Sequence, residues 1–388
     1  MTRLGWQRCT LFVFVFAMIG ACGSSNQSPS SAGNAERAAD RRLDSALRSF
    51  VRRPDGPPGI AVVVQRRAKS PVLHSFGTTT VGSNQPIRLG DHLRIASVSK
   101  AFSGAAALAV VASGGLTLSS TVGSILPALP AAWHVVTLGQ LLQHTSGVPD
   151  FSKSDGFRTA LTSSLQTAPA PAELLKFAGD HLSFAPGSKY EYSNSDNVVV
   201  ALMVQAVRGQ GYADVLSDTV TRPFGLSETT LPADAAMPFP TVHGYALDPP
   251  KAPEDVTNVF AAGWTFSSGG IVSTPTDANR FARAYARGDE TDRPTHRAQF
   301  QFVPGGSEPT GPGENNAGLG IFRYRTRCGV VYGHTGNTAG YTQFIAASRD
   351  GARSTSVSIN AQITPSTSPD AFRGLRRIFE LAVCASAK

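Results

Sequence analysis

The stretch that decides the fold is SVSKAFSGAAALAVVA, residues 97–112. Its last twelve residues are small or apolar on almost every side, which predicts a fully buried helix. Ser97 and Lys100 form the only S-x-x-K pattern in the sequence, and they lie one turn apart on one face if they open that helix. The helix N-terminus favours negative charge on the serine oxygen, and a lysine packed against apolar residues can act as a base. We interpret Ser97 as a nucleophile and Lys100 as its base, although so short a pattern arises by chance in about every second chain of this length.

A second pattern, Tyr192-Ser193-Asn194, precedes another apolar helix predicted at 197–207. A phenol held near an ammonium can exist partly as phenolate and carry protons, which gives Tyr192 an acid/base role. Asn194 is expected to hold Lys100 and a substrate amide through hydrogen bonds. The alternative is a loop tyrosine whose ring lies in the core. The overlapping triplet Ser195-Asp196-Asn197 is a competing motif, and we interpret its Ser and Asp as caps of the following helix.

The third pattern, Tyr332-Gly333-His334-Thr335-Gly336, ends a predicted strand. A strand edge beside a nucleophile can pair with an extended substrate. Backbone N–H groups at this edge, together with that of Ser97, could form an oxyanion hole. The alternative for His334 is a structural histidine in a turn.

Strands are predicted at both ends of the chain. Ile60–Gln65 and Val72–Phe76 have the pattern of a hairpin, and Tyr341–Ser348 and Ser354–Asn360 follow late in the sequence. The fold class expected from this arrangement is α+β. One antiparallel sheet is built from both chain ends, with flanking helices and an inserted, mostly helical lobe at about residues 101–241. The catalytic cleft is expected between sheet and lobe.

The N-terminus has the pattern of an export signal. Two arginines precede the apolar run Leu11–Ile19, which is too short to span a bilayer, and Gly20-Ala21-Cys22 follows. This resembles the lipobox of bacterial lipoproteins, so we predict a signal peptide at 1–21, acylation of Cys22 and a flexible tether at 22–36 before a single domain at 37–388. The alternative is an ordinary secretory signal with an incidental cysteine. Either interpretation places the protein outside the cytoplasm, and the first anchors it to the membrane by lipid.

Composition excludes several classes of function. The net charge of +8 is spread along the chain without a block of Lys and Arg, so no nucleic-acid binding is expected. No metal-type Cys/His spacing occurs, and we expect no metal and no cofactor. The absence of G-x-S-x-G excludes an α/β-hydrolase nucleophile elbow. Cys328 and Cys384 are the cysteines left in an exported domain, and they form either one disulfide or two buried thiols.

The order of the three patterns resembles class C beta-lactamases and their relatives, members of the serine beta-lactamase/penicillin-binding superfamily. The resemblance extends to Thr137–Pro149 and Gly269–Asp277 and covers the chain from about residue 45. Within the superfamily the chain is most similar to the penicillin-sensitive D-alanyl-D-alanine carboxypeptidases of actinomycetes. The reason is that His334 stands where class C enzymes carry Lys, and Trp264 is also similar to a residue of those carboxypeptidases. By that resemblance, Cys328 and Cys384 form the family's disulfide.

The resemblance implies acyl transfer without a cofactor. Ser97 attacks a carbonyl, its proton passes to Lys100 and Tyr192, the N–H groups of Ser97 and Asn337 hold the oxyanion, and water cleaves the acyl-enzyme. The expected substrate is a D-alanyl-D-alanine peptide of peptidoglycan, with penicillin as a slow acylating inhibitor. The alternatives are a beta-lactamase, an esterase or D-amidase, and a penicillin-sensing lipoprotein without turnover.

Two departures from the carboxypeptidases concern the substrate carboxylate. Asn337 stands in place of a second Thr, and Phe322 in place of a substrate-binding Arg. We therefore expect Thr335 and Asn337 to donate to the carboxylate, with Arg323 or Arg325 supplying the positive charge. If both arginines face away from the cleft, an esterase or amidase is favoured instead.

Overall fold

The computed structural model describes residues 31–388, with twelve strands and twelve α-helices in that range. The strands are β1 Gly59–Gln65, β2 Val72–Gly77, β3 Leu93–Arg94, β4 Tyr245–Ala246, β5 Glu254–Asp255, β6 Val272–Ser273, β7 Val303–Pro304, β8 Glu314–Ala317, β9 Phe322–Thr326, β10 Gly329–Thr338, β11 Tyr341–Ala347 and β12 Ser354–Ile359. The helices are α1 Ser31–Val51, α2 Ser99–Ala112, α3 Val122–Ile125, α4 Leu138–Leu142, α5 Asp155–Ser163, α6 Pro171–Lys176, α7 Asn194–Arg208, α8 Tyr212–Leu216, α9 Phe266–Gly269, α10 Pro275–Arg287, α11 Arg293–Gln299 and α12 Pro369–Ser386.

The central sheet has eight strands in the order β2-β1-β12-β11-β10-β9-β8-β7, all paired antiparallel. Ile60 of β1 pairs with Ile359 of β12, so the two ends of the chain share one sheet. The predicted α+β fold, with a sheet built from both chain ends, is confirmed.

Helices α1 and α12 cover one face of the sheet. Alternate residues of β1 point to this face, including Ile60 and Val62, and they pack with Leu47 of α1 and Phe379 of α12 in one buried cluster. On the other face α10 packs against β11 and β12. Each face therefore has its own apolar core.

The helical lobe is centred on α2 and α7, which pack against each other. Residues 101–108 of α2 are all buried, as an apolar surface on every side predicts. Gly104 lets α2 approach the sheet side closely, because a Cβ there would lie 3.0 Å from the Cα of Gly320. This contact brings the start of α2 towards strand β10.

The structure tests part of the predicted tether but not the predicted signal peptide. Helix α1 begins at Ser31, so the last six residues of the predicted tether are helical; Gly33 and Asn34 suggested a linker, but the Ala- and Arg-rich run behind them extends the helix. Glu36 there forms an ion pair with Lys69. The predicted signal peptide and Cys22 lie outside the described residues. Within residues 31–388, no helix has both the length and the apolar character to cross a membrane.

The two remaining cysteines form a disulfide. Cys328 lies in the turn between β9 and β10, Cys384 lies near the end of α12, and their Cα atoms are 5.0 Å apart. The bond ties the covering helix to the middle of the sheet.

Candidate active site

The nucleophile candidate lies in a short 3₁₀ turn, Ala96–Val98, that leads into α2. Ala96, just before Ser97, has a φ of 49°, in the left-handed region that residues other than glycine seldom adopt. Ser97 Oγ is 3.1 Å from Lys100 Nζ. The helix proper begins two residues later than the S-x-x-K pattern suggested, yet the predicted pair is brought into hydrogen-bond contact.

Lys100 is buried and fully surrounded by acceptors. Its Nζ donates to Asn194 Oδ1 at 2.7 Å and to the Ser268 carbonyl at 2.7 Å, which leaves the third direction for Ser97. Burial lowers the pKa of Lys100 to about 7, with the negative charges of Asp150 and Glu308 acting in the opposite direction. A large fraction of Lys100 is therefore neutral near pH 7, and a neutral amine can accept the Ser97 proton.

Tyr192 lies beside this pair, with its ring centroid 4.9 Å from Lys100 Nζ. Its side chain is buried, and its hydroxyl makes no regular hydrogen bond with any described residue. Burial raises the pKa of Tyr192 well above its usual value, although the Ser97 hydroxyl opposes that shift. The raised pKa of Tyr192 favours the protonated phenol, which can donate a proton, over the partial phenolate expected from the sequence.

The overlapping triplet does not face the nucleophile, and its residues are not caps. Helix α7 begins at Asn194, so Ser195 and Asp196 lie in its first turn and face the preceding loop. Ser195 Oγ donates to the Pro149 carbonyl at 2.6 Å. Asp196 accepts from Ser146 Oγ and shares a 2.8 Å hydrogen bond with His144 Nδ1. The prediction of two caps is wrong, because the helix starts earlier than its apolar pattern does.

Asn194 connects Lys100 to residues that the sequence did not single out. Its Nδ2 donates to Asp150 Oδ2 at 3.1 Å and to Ser152 Oγ at 2.9 Å. These acceptors fix the orientation of the amide, so that its oxygen faces Lys100. Asp150 directly follows the Thr137–Pro149 segment of the family resemblance, and that adjacency was the available signal.

Strand β10 passes directly against the nucleophile at Gly336. A Cβ on Gly336 would lie 2.4 Å from the Ile95 carbonyl oxygen and 3.1 Å from the Ser97 nitrogen. Only glycine permits this approach. The next residue, Asn337, lines the same cavity as Ser97.

The side chains of this strand segment make hydrogen bonds within the fold. His334 is buried, donates from Nδ1 to the Thr335 carbonyl, and has its pKa lowered to about 3 by burial. Thr335 Oγ1 donates to the Pro309 carbonyl at 2.5 Å, and Asn337 Nδ2 donates to the Ile363 carbonyl at 2.7 Å. The prediction that Thr335 donates to a substrate carboxylate is wrong, because its hydroxyl is already bonded to backbone. Asn337 lines the cavity with only one of its two amide N–H groups bonded, so its part in substrate binding stays a prediction.

Neither candidate arginine faces the cavity. Arg323 pairs in register with Tyr332, five residues before Asn337, which is about 17 Å along a strand. Its guanidinium donates to Asn316 and lies 4.8 Å from the Phe302 ring centroid, while Arg325 is exposed. This contradicts the prediction that one of them binds a substrate carboxylate, because the register places them too far along the sheet.

The cavity at Ser97 has a volume of about 790 Å³ and a mostly apolar wall. Phe151, Phe157 and Trp264 line one side, and Trp264 is held by a 3.1 Å hydrogen bond from Nε1 to the Ser164 carbonyl. Among the described lining residues Glu308 is the only charged one. Burial raises the pKa of Glu308, and its carboxylate has no hydrogen-bond partner within residues 31–388. The part of the chain that the structure describes holds no group of metal-binding side chains.

A sheet built from both chain ends, an inserted helical lobe and a serine-lysine-tyrosine cluster between them define the beta-lactamase/transpeptidase class of serine hydrolases. The Beta-lactamase family profile matches residues 47–378, and the chain belongs to that family. Closeness to the actinomycete carboxypeptidases stays a prediction.

The individual relatives share about a quarter or less of their sequence with this chain. Penicillin-binding protein 4* of Bacillus subtilis is 25% identical over 285 residues, which are 69% of this chain and 60% of that protein. A D-stereospecific amidohydrolase from a Streptomyces species has a similar structure, with a TM-score of 0.75, 24% identity and coverage of 88% of this chain and 98% of that one. A D-amino acid amidase from Ochrobactrum anthropi SV3 also has a similar structure, with a TM-score of 0.76 and 21% identity. The match covers 89% of this chain and 98% of that one. These two structures support the fold.

Proposed function

We propose that this chain is a serine hydrolase that forms an acyl-enzyme on Ser97 from an amide or ester. Ser97 Oγ bonds to the substrate carbonyl carbon while its proton passes to neutral Lys100. The N–H groups of Ser97 and Asn337 hold the oxyanion. Tyr192 protonates the leaving group and regains a proton from the Lys100 ammonium. Water then adds to the acyl carbon, gives a proton to the same pair, and releases the acid as Ser97 recovers its own proton.

The observation that carries this proposal is Lys100 itself. A lysine with a pKa of about 7, bonded to Ser97 at 3.1 Å, is matched to proton transfer near neutral pH. The Tyr192 hydroxyl next to it, whose pKa burial raises well above its usual value, supplies the donor that the leaving group needs. No other described residue has to be added to complete the proton path.

For the substrate, the charge in the cavity favours an amide with a free amino group, as in a D-amino acid amide. Glu308 is unpaired and attracts an ammonium group, and the aromatic wall suits an apolar side chain. A substrate ending in a carboxylate meets no cation in the cavity wall. The amidase alternative is therefore preferred over the D-alanyl-D-alanine carboxypeptidase.

The carboxypeptidase or beta-lactamase remains a second candidate, because a protein named as penicillin-binding is among the relatives. Hydrolysis rates for D-phenylalanine amide, a D-Ala-D-Ala peptide, a cephalosporin and a short-chain ester, measured side by side, separate the candidates. Ser97→Ala should abolish every activity as well as labelling by fluorescent penicillin. Labelling without turnover of any substrate would favour a penicillin sensor, and activity that persists in Ser97→Ala would remove the proposal.

Glu308→Gln tests the substrate preference directly. We expect kcat/KM for D-phenylalanine amide to fall about tenfold, since a charge-assisted contact is worth about 1.5 kcal/mol, and kcat/KM for a neutral ester to stay within about twofold. Glu314→Gln, which neutralises an exposed carboxylate outside the cavity, is the matched control. Equal losses on both substrates would show that Glu308 does not select for charge.

The location is a further part of the proposal: export and anchoring by an acyl group on Cys22, with peptidoglycan or its fragments within reach. It rests on the sequence pattern alone. Labelled palmitate should be incorporated into the wild type and not into Cys22→Ser, and the variant should move from the membrane to the soluble fraction. A Cys22→Ser protein that still incorporates the lipid would contradict it.

A further inference from the structure

A second concave surface, the basic groove, lies between α1 and α12, far from the Ser97 cavity. It has a volume of about 820 Å³ and is lined by Arg41, Arg42, Arg53, Arg327 and Arg377. No residue lines both this groove and the Ser97 cavity. Five guanidinium groups around one groove are not required by the sheet packing below them.

The positive charge of the groove is only partly neutralised. Arg53 pairs with Asp55 and Arg327 with Glu380, but Arg41, Arg42 and Arg377 make no ion pair or hydrogen bond within the described part of the chain.

The acidic residues of α1 are turned to another side. Asp40 pairs with Arg66, and Asp44 pairs with His74 of the neighbouring strand. The carboxylates of Asp40 and Asp44 therefore lie away from the groove, on the side where Arg48 packs over the Phe76 ring of β2, while Arg41 and Arg42 face the groove.

The floor of the groove is apolar and includes Phe50, Ile378 and Leu381. Guanidinium groups around an apolar floor fit a phosphate that is attached to an apolar body, since the guanidinium fork matches phosphate oxygens. Helix α1 also begins nine positions after Cys22.

We propose that the basic groove binds the phosphate groups of anionic phospholipids and holds this face of the enzyme against a membrane. The contact is independent of the hydrolase reaction. It adds to any lipid on Cys22, because one acyl chain alone gives only marginal binding and a basic patch supplies the second attachment.

The test is flotation of the full chain carrying Cys22→Ser with vesicles of 30% phosphatidylglycerol in phosphatidylcholine. Arg41→Gln/Arg42→Gln/Arg377→Gln should weaken binding about a hundredfold, given the usual contribution of each arginine at an anionic surface. Arg208→Gln/Arg293→Gln/Arg297→Gln is the matched control, because it removes the same charge from exposed positions outside the groove. The control should bind within about twofold of its parent.

Added salt should release the parent protein, as screening shortens the range of these charges from about 10 Å at 0.1 M to about 3 Å at 1 M. Three results would overturn the proposal: equal loss in both triple variants, equal binding to pure phosphatidylcholine, or binding to single-stranded DNA but not to vesicles. Circular dichroism and the retained esterase rate show that each variant is folded.

Discussion

At the scale of single residues, the buried Lys100 determines how activity should depend on pH. Acylation needs the neutral amine, which predominates above a pKa of about 7. We therefore expect kcat/KM for a neutral ester to rise with pH and to level off above that value. Glu308 favours the charged form of Lys100, so Glu308→Gln should move the midpoint to lower pH. Glu314→Gln should leave the midpoint unchanged, and a Glu308→Gln profile identical to the wild type would contradict this assignment.

Gly336 is the second residue on which the site depends. In Gly336→Ala the new methyl group would collide with the Ile95 carbonyl and crowd the Ser97 nitrogen. Overpacking of this kind costs about 1–3 kcal/mol, and here it separates the oxyanion donors. We expect at least a tenfold fall in the acylation rate by penicillin. Gly90→Ala, where a Cβ meets open space, should acylate normally; equal rates for both variants would refute the close-approach argument.

The sequence predicted the residues that carry a local pattern and missed those that do not. Ser97 and Lys100 are three positions apart, so helical geometry brings them together whatever the rest of the chain does. Glu308 and Asp150 act on the charge of Lys100 from loops, and no local spacing marks such interactions. The prediction of Thr335 as a carboxylate donor was wrong for a similar reason, since its partner is a backbone carbonyl that only the fold supplies.

At the scale of elements, the first turn of α7 holds the loop that carries Asp150. Asp196 is the shared acceptor for His144 and Ser146. Asp196→Ala leaves both buried groups without their partner and should lower the free energy of unfolding by about 3 kcal/mol. It should also reduce the acylation rate, because Asn194 is oriented from the same loop. Denaturant unfolding measures the first effect, and penicillin labelling measures the second.

Ser193→Ala is the control for Asp196→Ala. The Ser193 hydroxyl is buried without a partner within residues 31–388, so its removal should change stability by less than about 1 kcal/mol. If both variants lose the same stability, the network around Asp196 does not hold the loop.

Elements with a strong periodic pattern were predicted closely, and weakly patterned ones were not. Strand β12 spans Ser354–Ile359, one residue shorter than the predicted Ser354–Asn360. Strands β7 and β8 were missed, since Glu314–Ala317 has no apolar alternation and pairs at the edge of the sheet. The segment Glu314–Ala317 is a strand because it pairs with β9, and the sequence of one segment does not reveal its pairing partner.

At the scale of the whole molecule, the disulfide should account for a large part of the stability. It closes a loop with a sequence separation of 56 residues, and restricting the unfolded chain over that length contributes about 4 kcal/mol. In Cys328→Ser/Cys384→Ser the free energy of unfolding, measured with denaturant, should fall by that amount. The double variant should still be labelled by penicillin. Reduction of the wild type should match the double variant. Unchanged unfolding after reduction would show that packing of α12 suffices.

The pairing of β1 with β12 also bears on how the chain can be made. A ribosome delivers β1 and β2 first, and β12 nearly last, so the order of synthesis cannot be the order of assembly. An isolated two-stranded hairpin is marginally stable in water, and its apolar face stays exposed while the lobe is still being translated. The early segments therefore expose apolar surface that favours aggregation until their partner strand arrives.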